Sequence, residues 1–274
     1  MTDRYCVIGN PIAHSKSPRI HAQYAAELGE DLLYEQCLAP VDGFAATVAR
    51  LVGEGYKGAN VTVPFKLEAA RLATRLTARA QAAGAVNTLV FDGGEIVGDN
   101  TDGVGLVADI VRNAGVSLAD KRVLLLGAGG AARGALLPLL DAGPRQIVIA
   151  NRTLATAEAL VAEFADHAAR LAVSGFTDVD GPFDVIINAT SASLDAAVPP
   201  IPATVFGPDT LALDMMYGNK PTVFMDFAAG HGAAVRDGLG MLVEQAAEAF
   251  ALWRGKRPGT AHVLASMRQS QSQG

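Results

Sequence analysis

Three short polar clusters in the first third of the chain hold the side chains from which an active site could be built. Ser15 and Ser17 lie two residues apart beside the predicted start of a helix, a placement suited to holding a carboxylate. Lys66 follows a strand and a proline, and Asp102 lies in the polar run at 98–103. Taken singly, these clusters also have structural interpretations, namely helix capping for the serines and the aspartate and a solvated surface for the lysine. An active site is indicated only if the three clusters lie close together in the fold.

A glycine loop after an apolar strand in the middle of the chain is typical of a dinucleotide site. The spacing is G-x-G-x-x-A, with Gly127 at the tight turn, Gly129 where the backbone approaches a pyrophosphate, and Ala132 at the helix–strand contact. The N-terminus of the following helix would offer N–H groups and the positive end of its dipole to the phosphates. The alternative is a tight turn without a ligand, which the strand–turn–helix context disfavours.

The strand that follows this loop decides which dinucleotide is expected. NAD sites usually place an acidic residue about 20 residues further on, whereas NADP sites place an arginine there for the 2′-phosphate. Here the strand ends in Asn151-Arg152-Thr153, and no acidic residue stands between Asp141 and Glu158. We therefore predict NADP(H) as the cofactor, with Arg152 at its adenosine end. A solvated loop arginine is the alternative.

The elements that must position these residues alternate between strands and helices, which is the pattern of an α/β fold with largely parallel sheets. Strands are predicted at 5–8, 33–38, 58–61, 88–91, 95–97, 122–126, 146–150, 185–188 and 211–215. Helices are predicted after a cap at Ser17 and at 44–54, 68–76, 103–114, 241–253 and 261–269. Pro138 is expected to kink or shorten the helix after the glycine loop. The domain junction is predicted on the helix at 103–114, with the last helices returning to the first domain.

Composition excludes several classes of protein. A length of 274 residues favours two domains or one large one, and 28 acidic against 22 basic residues give a net charge of −6, which disfavours nucleic-acid binding. Mean hydropathy is +0.25, yet the longest charge-free segment has 13 residues, against about 20 for a membrane-spanning helix. Two cysteines cannot build a disulfide framework, and the histidines are too scattered for a metal site. The N-terminus lacks a signal-peptide pattern. A cytoplasmic protein without a metal or a membrane partner is expected.

The conjunction of these motifs is far more specific than any one of them, and it resembles the shikimate dehydrogenases. From Tyr5 to Trp253 the sequence contains GNPIxHSxSP, NVTVPxK, GAVNT, DNTDG, GAGGAxR, NRT and DGLGMLVxQA. The resemblance implies two α/β lobes with a cleft between them. Residues 1–103 plus 239–274 would form the substrate-binding, catalytic lobe, and residues 104–238 a Rossmann-type NADP-binding lobe. It further implies reversible, NADPH-dependent reduction of 3-dehydroshikimate to shikimate, in the chorismate pathway of aromatic amino acid biosynthesis, by a monomer or homodimer.

The resemblance also implies roles residue by residue. Lys66 and Asp102 correspond to the catalytic pair, since hydride arriving at a ketone builds negative charge on its oxygen and requires a donor within reach. Whether Lys66 is a proton shuttle or mainly a fixed positive charge stays open. The substrate residues would be Ser15 and Ser17 at the carboxylate, Thr62, Asn87, Asp102 and Gln245 at the ring hydroxyls, and Tyr217 at the carboxylate end. The cofactor residues would be Gly127, Ala128, Gly129, Gly130, Ala131, Asn151, Arg152 and Thr153, with Met215 and Gly238 beside the nicotinamide.

Three positions depart from the family pattern. Thr156 stands where a second basic residue is common, Ser193 where a glycine is usual, and Val223 where a proline is usual. Thr156 weakens the expected preference for NADP without reversing it, and Ser193 lacks the backbone freedom of a glycine near the nicotinamide. A quinate/shikimate dehydrogenase of broader specificity is the nearest rival. A non-catalytic NADP-sensing module is the rival from another class, although the chain keeps both Lys66 and Asp102.

Overall fold

Two six-stranded sheets organise the chain in the computed structural model, which describes residues 2–272 and, except at positions 194, 195 and 272, their side chains. One compact unit comprises Met1–Gly105 with Val243–Ser266, and the other Leu106–Leu242 with Met267–Gly274. Strands and helices alternate in both, which confirms the predicted α/β class. Within residues 2–272, no helix is both long and apolar enough to cross a bilayer.

The first unit is built on a mixed sheet. Its strands are β1 (Asp3–Gly9), β2 (Leu32–Leu38), β3 (Gly58–Val61), β4 (Arg75–Leu76), β5 (Thr88–Asp92) and β6 (Glu95–Asp99), in the order β2-β1-β3-β5-β6-β4. β1 is parallel to β2 and β3, whereas β5 runs antiparallel to both β3 and β6. Strands β3 and β6 therefore point the same way, and the segments that follow them leave the sheet at the same edge.

Four helices lie between consecutive strands of this sheet along the chain: α1 (Ser17–Leu28), α2 (Phe44–Gly53), α3 (Lys66–Leu72) and α4 (Ala78–Ala83). Gly29 is the C-cap residue of α1, and its φ of +63° is the left-handed conformation that glycine adopts without strain. Ser17 is the first residue of α1, and Lys16 occupies the N-cap position without a side-chain capping bond. The prediction that Ser17 caps this helix is therefore wrong.

Helix α3 is shorter than the sequence predicts. The helix expected over 68–76 begins at Lys66 and ends at Leu72, because residues 75–76 pair with β6 as the short strand β4. Phe44 of α2 stacks on Phe65, just before α3, with ring centroids 5.0 Å apart. Both rings belong to the apolar core of this unit, so burial of aromatic surface fixes α2 and the start of α3 on the sheet.

A single helix predicted over 103–114 is interrupted. Helix α5 (Asp102–Ala108) continues into a π-helical turn at Asp109–Asn113. Asp109 is buried in this turn, and its carboxylate accepts hydrogen bonds from Arg236 at 2.6 Å and Asn113 at 2.9 Å. A Cβ added at Gly240 would overlap the same carboxylate. The wider turn thus places a buried charge where a paired arginine compensates it, which periodicity along 103–114 could not predict.

The second unit has an all-parallel sheet. Its strands are β7 (Arg122–Leu126), β8 (Gln146–Ala150), β9 (Leu171–Ser174), β10 (Phe183–Asn188), β11 (Phe206–Asp214) and β12 (Ala234–Arg236), in the order β12-β11-β10-β7-β8-β9. The helices are α6 (Gly130–Asp141), α7 (Leu154–Ala162) and α8 (Val223–Gly230). The order reverses between β7 and β10, as in doubly wound dinucleotide-binding sheets, so the Rossmann-type prediction is confirmed. α6 does not end at Pro138 but runs on to Asp141.

The tail forms α9 (Leu239–Arg254) and α10 (Ala261–Ser272). Trp253 stacks on Tyr5 with centroids 4.7 Å apart and donates to the carbonyl of Leu89 at 2.9 Å, so residues 243–266 group with the first unit. Residues from 267 onwards group with the second unit, where Arg268 donates to Asp237 at 2.7 Å. The compact units thus differ from the predicted ranges, which assign the whole tail from 239 to the first domain.

Candidate active site

Lys66 and Asp102 form an ion pair, with Nζ of the lysine 2.6 Å from Oδ2 of the aspartate. Lys66 begins α3 after β3, and Asp102 begins α5 after β6. Because β3 and β6 leave the sheet at the same edge, the two residues meet although 36 positions separate them. The two side chains are 32% and 24% exposed. A small molecule can therefore reach the pair while the fold holds it.

Asn87, directly before β5, holds the other oxygen of the Asp102 carboxylate. Its Nδ2 donates to Oδ1 of Asp102 at 2.8 Å and lies 2.9 Å from Oγ1 of Thr101 and 3.3 Å from Oε1 of Gln245. Its Oδ1 accepts from the N–H of Thr101 at 2.8 Å. Asn87 and Thr101 are buried, and buried amides with satisfied hydrogen bonds have a single orientation. The plane of the Asp102 carboxylate is thus fixed from both sides.

Gln245 reaches this cluster from α9, near the other end of the chain. It is buried, and its Oε1 also lies 3.3 Å from Oγ1 of Thr101. The close approach depends on Gly105 of α5, because a Cβ there would lie 2.7 Å from both the backbone N and the Cβ of Gln245. The structure therefore brings together Asn87, Asp102 and Gln245, which the resemblance assigns to the ring hydroxyls of one ligand.

A further layer of polar groups, missed by the sequence analysis, holds the loop that carries Asp102. Arg79 donates twice to Asp99, at 2.7 Å each, and once to Glu248 at 3.0 Å. Thr77 donates to Asp99 at 2.6 Å. Burial alone would raise the pKa of Asp99, but the hydrogen bonds from Arg79 and Thr77 outweigh it and lower that pKa. Asp99 begins the DNTDG motif, yet no local signal identifies Arg79 as its partner.

The loop after β1 carries the predicted carboxylate site. The N–H of Ser17 donates to Oγ of Ser15 at 3.3 Å, and Gln36 of β2 donates to the Ser15 carbonyl at 3.3 Å. A Cβ at Gly9 would come within 2.6 Å of Cγ2 of Thr62, so a glycine is required where these loops meet. The structure places Ser15, Ser17 and Thr62 after the adjacent parallel strands β1 and β3.

A cavity of about 660 Å³ opens at the point where the strand order of the second sheet reverses. Loops after β7, β8, β9 and β10 line it, with residues 127–129, 151–152, 176, 189–192 and 197–200. Of these, the sequence analysis predicts Gly127, Ala128, Gly129, Asn151 and Arg152. The resemblance also implies that the loop ending at Ser193 passes near the nicotinamide, and residues 189–192 of this loop line the cavity. Phe176 and residues 197–200 were not predicted. The Asn-Ala-Thr-Ser run, which begins at the last residue of β10, is the sequence signal for the first of these loops.

The residues of this cavity fit a dinucleotide. Gly127 has a φ of +99°, which favours glycine, and Cβ atoms at Gly129 or Gly130 would point into open space. Gly129 at the N-cap of α6 has no side chain with which to cap the first-turn N–H groups, so an anion can accept from them. Arg152 is exposed beside the same cavity and can meet a phosphate. A polyphosphate with an additional phosphate group matches this donor set.

The two residues assigned to the nicotinamide end lie after neighbouring strands, Met215 directly after β11 and Gly238 two residues after the end of β12. The N–H of Gly238 donates to the carbonyl of Met216 at 2.9 Å, and a Cβ at Gly238 would overlap the Met215 carbonyl. The structure thus brings Met215 and Gly238 together.

Tyr217, assigned to the carboxylate end of the substrate, is partly exposed, and burial of the rest of its ring raises the pKa of its hydroxyl. Thr153 is the N-cap residue of α7, and its carbonyl accepts from Asn151 at 2.9 Å.

Three protein-family models match the sequence in succession. The model described as "Shikimate dehydrogenase substrate binding domain" matches residues 7–89, "Shikimate / quinate 5-dehydrogenase" matches residues 109–197, and "Shikimate 5′-dehydrogenase C-terminal domain" matches residues 238–268. The chain is 66% identical over 268 residues to the shikimate dehydrogenase (NADP(+)) of Herminiimonas arsenicoxydans, with 98% of each chain covered.

Solved structures share the fold over nearly the whole chain. An Ael1 enzyme from Pseudomonas putida is similar with a TM-score of 0.93 and 51% identity, covering 97% of this chain and 98% of that one. The shikimate 5-dehydrogenase of Thermus thermophilus, solved with NADP(H) and shikimate, is similar with a TM-score of 0.85 and 32% identity. That comparison covers 98% of this chain and 100% of the other. The similarity therefore includes both sheets.

Proposed function

The chain belongs to the shikimate dehydrogenase family, and from this we propose that it catalyses the reversible, NADPH-dependent reduction of 3-dehydroshikimate to shikimate. The reaction would serve the chorismate pathway of aromatic amino acid biosynthesis. The observation that carries the proposal is the accessible ion pair of Lys66 and Asp102, 2.6 Å apart. Family membership supplies the class of substrate, and this pair supplies the groups that a ketone reduction requires.

Reduction of a ketone adds a hydride to the carbonyl carbon and a proton to the oxygen. NADPH, when bound, supplies the hydride with its electron pair. The Lys66 ammonium donates a hydrogen bond to the carbonyl oxygen, where negative charge builds as the carbon–oxygen π electrons move onto it. Lys66 then either gives its proton to this oxygen, or stays protonated and stabilises the negative charge while a water molecule supplies the proton. Asp102 orients the ammonium and can accept a hydrogen bond from a hydroxyl of the substrate.

The polar cluster of the first unit supports the assignment of the substrate residues. Ser15, two residues before α1, and Ser17, its first residue, would bind the carboxylate with their hydroxyl groups beside the helix N-terminus. Thr62, Asn87 and Gln245 bind the ring hydroxyls. Bonds that already join Asn87 and Gln245 support a shared ligand, because both side chains are held in place before it arrives. Tyr217 adds a further contact at the carboxylate end.

The cavity of the second unit supports the assignment of the cofactor residues. Residues 127–131 bind the pyrophosphate at the start of α6, and Asn151, Arg152 and Thr153 bind the adenosine end with its 2′-phosphate. Met215 and Gly238 lie beside the nicotinamide in this assignment. A cytoplasmic location and a monomeric or homodimeric state complete the proposal.

The test is the oxidation of NADPH by the purified protein with 3-dehydroshikimate, followed by the reverse reaction with shikimate and NADP(+). We expect turnover in both directions. A folded protein that binds NADP(+) but shows no turnover at saturating 3-dehydroshikimate would contradict the proposed reaction and favour a cofactor-sensing module.

A second candidate, a dehydrogenase that also accepts quinate, is favoured by the description of the model that matches residues 109–197. Both activities are measured as kcat/KM for shikimate and quinate, each with NADP(+) and with NAD(+). We expect shikimate with NADP(+) to be preferred by at least about tenfold. Equal values for the two acids would establish the broader enzyme.

A further inference from the structure

Ser193 joins two strand ends of the second unit through a buried carboxylate. Its hydroxyl donates to Oδ2 of Asp214, the last residue of β11, at 2.6 Å. Asp214 is fully buried. The same oxygen accepts from the hydroxyl of Thr222 at 2.6 Å, and Oδ1 accepts from the N–H of Met216 at 3.0 Å. Ser193 is thus one of three donors to a carboxylate that cannot turn to solvent, and its position is strongly determined.

Asn188, the last residue of β10, connects Ser193 to the wall of the cavity. Its Nδ2 lies 3.4 Å from Oγ of Ser193, and its Oδ1 accepts from the N–H and hydroxyl of Thr190 at 3.1 and 2.7 Å. A Cβ at Gly127 would lie 3.1 Å from Cγ2 of Thr190, so Thr190 packs directly on the glycine loop. Contacts therefore run without a gap from Asp214 through Ser193 and Asn188 to the cavity.

We propose that Ser193 is a positioning residue for NADP(H): its hydroxyl, anchored on Asp214, holds residues 190–192 in the arrangement that receives the dinucleotide. The inference rests on the proposed function, because it concerns the binding of this cofactor in the cavity. A turn that becomes ordered only on binding lowers affinity by its conformational free energy, and a turn ordered beforehand does not. A glycine, usual at this position in the family that the sequence resembles, has no hydroxyl with which to make the bond to Asp214.

The experiment measures the dissociation constant of NADP(+) by calorimetry, without substrate, for the wild type, Ser193→Ala and Ser193→Gly. We expect about a three- to tenfold rise in both variants, which is the net contribution of a typical hydrogen bond expressed as a ratio of dissociation constants. Amide hydrogen exchange at residues 189–193 should accelerate in the free protein. At saturating NADPH, kcat and the KM for 3-dehydroshikimate should stay within about twofold of the wild type.

Thr222→Val is the matched control. It removes the other hydroxyl bonded to the same oxygen of Asp214, and Thr222 lies outside the cavity lining. We expect a lower melting temperature and a dissociation constant for NADP(+) close to that of the wild type. Ser117→Ala makes the same chemical change in an exposed turn and should alter neither quantity. Unchanged binding by Ser193→Ala, or an equal rise in Thr222→Val, would overturn the role of Ser193. A wild type that fails to bind NADP(+) would instead overturn the proposed function, and this inference with it.

Discussion

Asn87 donates to Oδ1 of Asp102 at 2.8 Å, on the carboxylate oxygen opposite to the one that Lys66 holds at 2.6 Å. The carboxylate therefore cannot rotate to face Lys66 with both oxygens, and the ammonium keeps donors free for a ligand. Three N–H donors on Lys66 and one acceptor at Oδ2 leave at least one donor for a substrate oxygen. This arrangement leaves the Lys66–Asp102 pair able to contact a ligand, which supports the proposed catalytic role.

Lys66→Ala and Asp102→Asn should each lower kcat by about 10²- to 10⁴-fold, because each removes a group needed as charge develops on the ketone oxygen. Calorimetry should show NADP(+) binding within about twofold of the wild type. Lys57→Ala, an exposed lysine of the same unit, is the control and should keep full activity. Unfolding of both site variants, seen by circular dichroism, would instead assign the pair a structural role.

Lys66→Arg separates the two possible roles of the lysine. A guanidinium keeps its positive charge but transfers a proton poorly. If electrostatic stabilisation dominates, the variant should retain a substantial part of kcat, and if proton transfer dominates, it should resemble Lys66→Ala. The dependence of kcat on pH, measured for the three proteins, distinguishes these outcomes.

Arg79→Met should lower the free energy of unfolding by about 3 kcal/mol, because it leaves the buried carboxylate of Asp99 without its cation. The loop that carries Asp102 loses its support in the same variant, so kcat should also fall. Arg75→Met removes the arginine of an exposed pair with Glu95 and should change stability by less than about 0.5 kcal/mol. Urea unfolding checks both values, and equal effects would refute a special role for Arg79.

His21 predicts a specific dependence of stability on pH. Complete burial lowers its pKa from 6.5 to about 3. Between these values the unfolded chain binds a proton that the native state does not, so the free energy of unfolding falls as pH falls, by up to about 1.4 kcal/mol per pH unit. Above pH 6.5 this contribution to stability is fully present.

His21→Phe should remove this part of the slope while keeping the ring that stacks on Tyr34. Phe250→Leu, at a ring neighbouring His21, is the control: it should lower stability at every pH and keep the slope. Denaturant unfolding at a series of pH values between about 4 and 7 measures both. Identical slopes for the wild type and His21→Phe would refute the assignment.

Gly105→Ala should impair substrate use, because its Cβ would lie 2.7 Å from the backbone N of Gln245 and push that residue from its place beside Asn87. We expect a several-fold rise in the KM for 3-dehydroshikimate and no change in NADP(+) binding. Gly53→Ala, at a helical glycine where a Cβ meets open space, should stabilise the protein by about 0.5 to 1 kcal/mol. A neutral Gly105→Ala would show that α5 and α9 tolerate a larger separation.

Arg152→Ala should weaken NADP(+) binding by about tenfold or more and leave NAD(+) binding nearly unchanged, because only NADP(+) carries the 2′-phosphate. Thr156→Lys should have the opposite effect, since it adds a cation to the exposed start of α7. Dissociation constants for both dinucleotides test the pair of variants. A parallel loss of NAD(+) and NADP(+) binding by Arg152→Ala would place this arginine elsewhere on the cofactor.

Local signals in the sequence sufficed for the apolar strands of both sheets. β3, β7 and β8 begin and end at the predicted residues. In each of them, the flanking turn residues mark the ends of a short buried strand. The short strands β4, β9 and β12 escaped prediction. They exist because a neighbouring strand offers unpaired backbone groups, and that neighbour is remote in the chain.

Residue types and their local spacing were enough to predict the class of fold, the family, the glycine loop and the polar side chains at the strand ends. Which of those side chains contact one another depends on how the strands and helices pack in three dimensions. Arg79 on Asp99, Gln245 beside Asn87 and Ser193 on Asp214 join residues 20, 158 and 21 positions apart. Such contacts follow from sheet order and helix packing, in which distances depend on every intervening element, so no spacing along the chain encodes them.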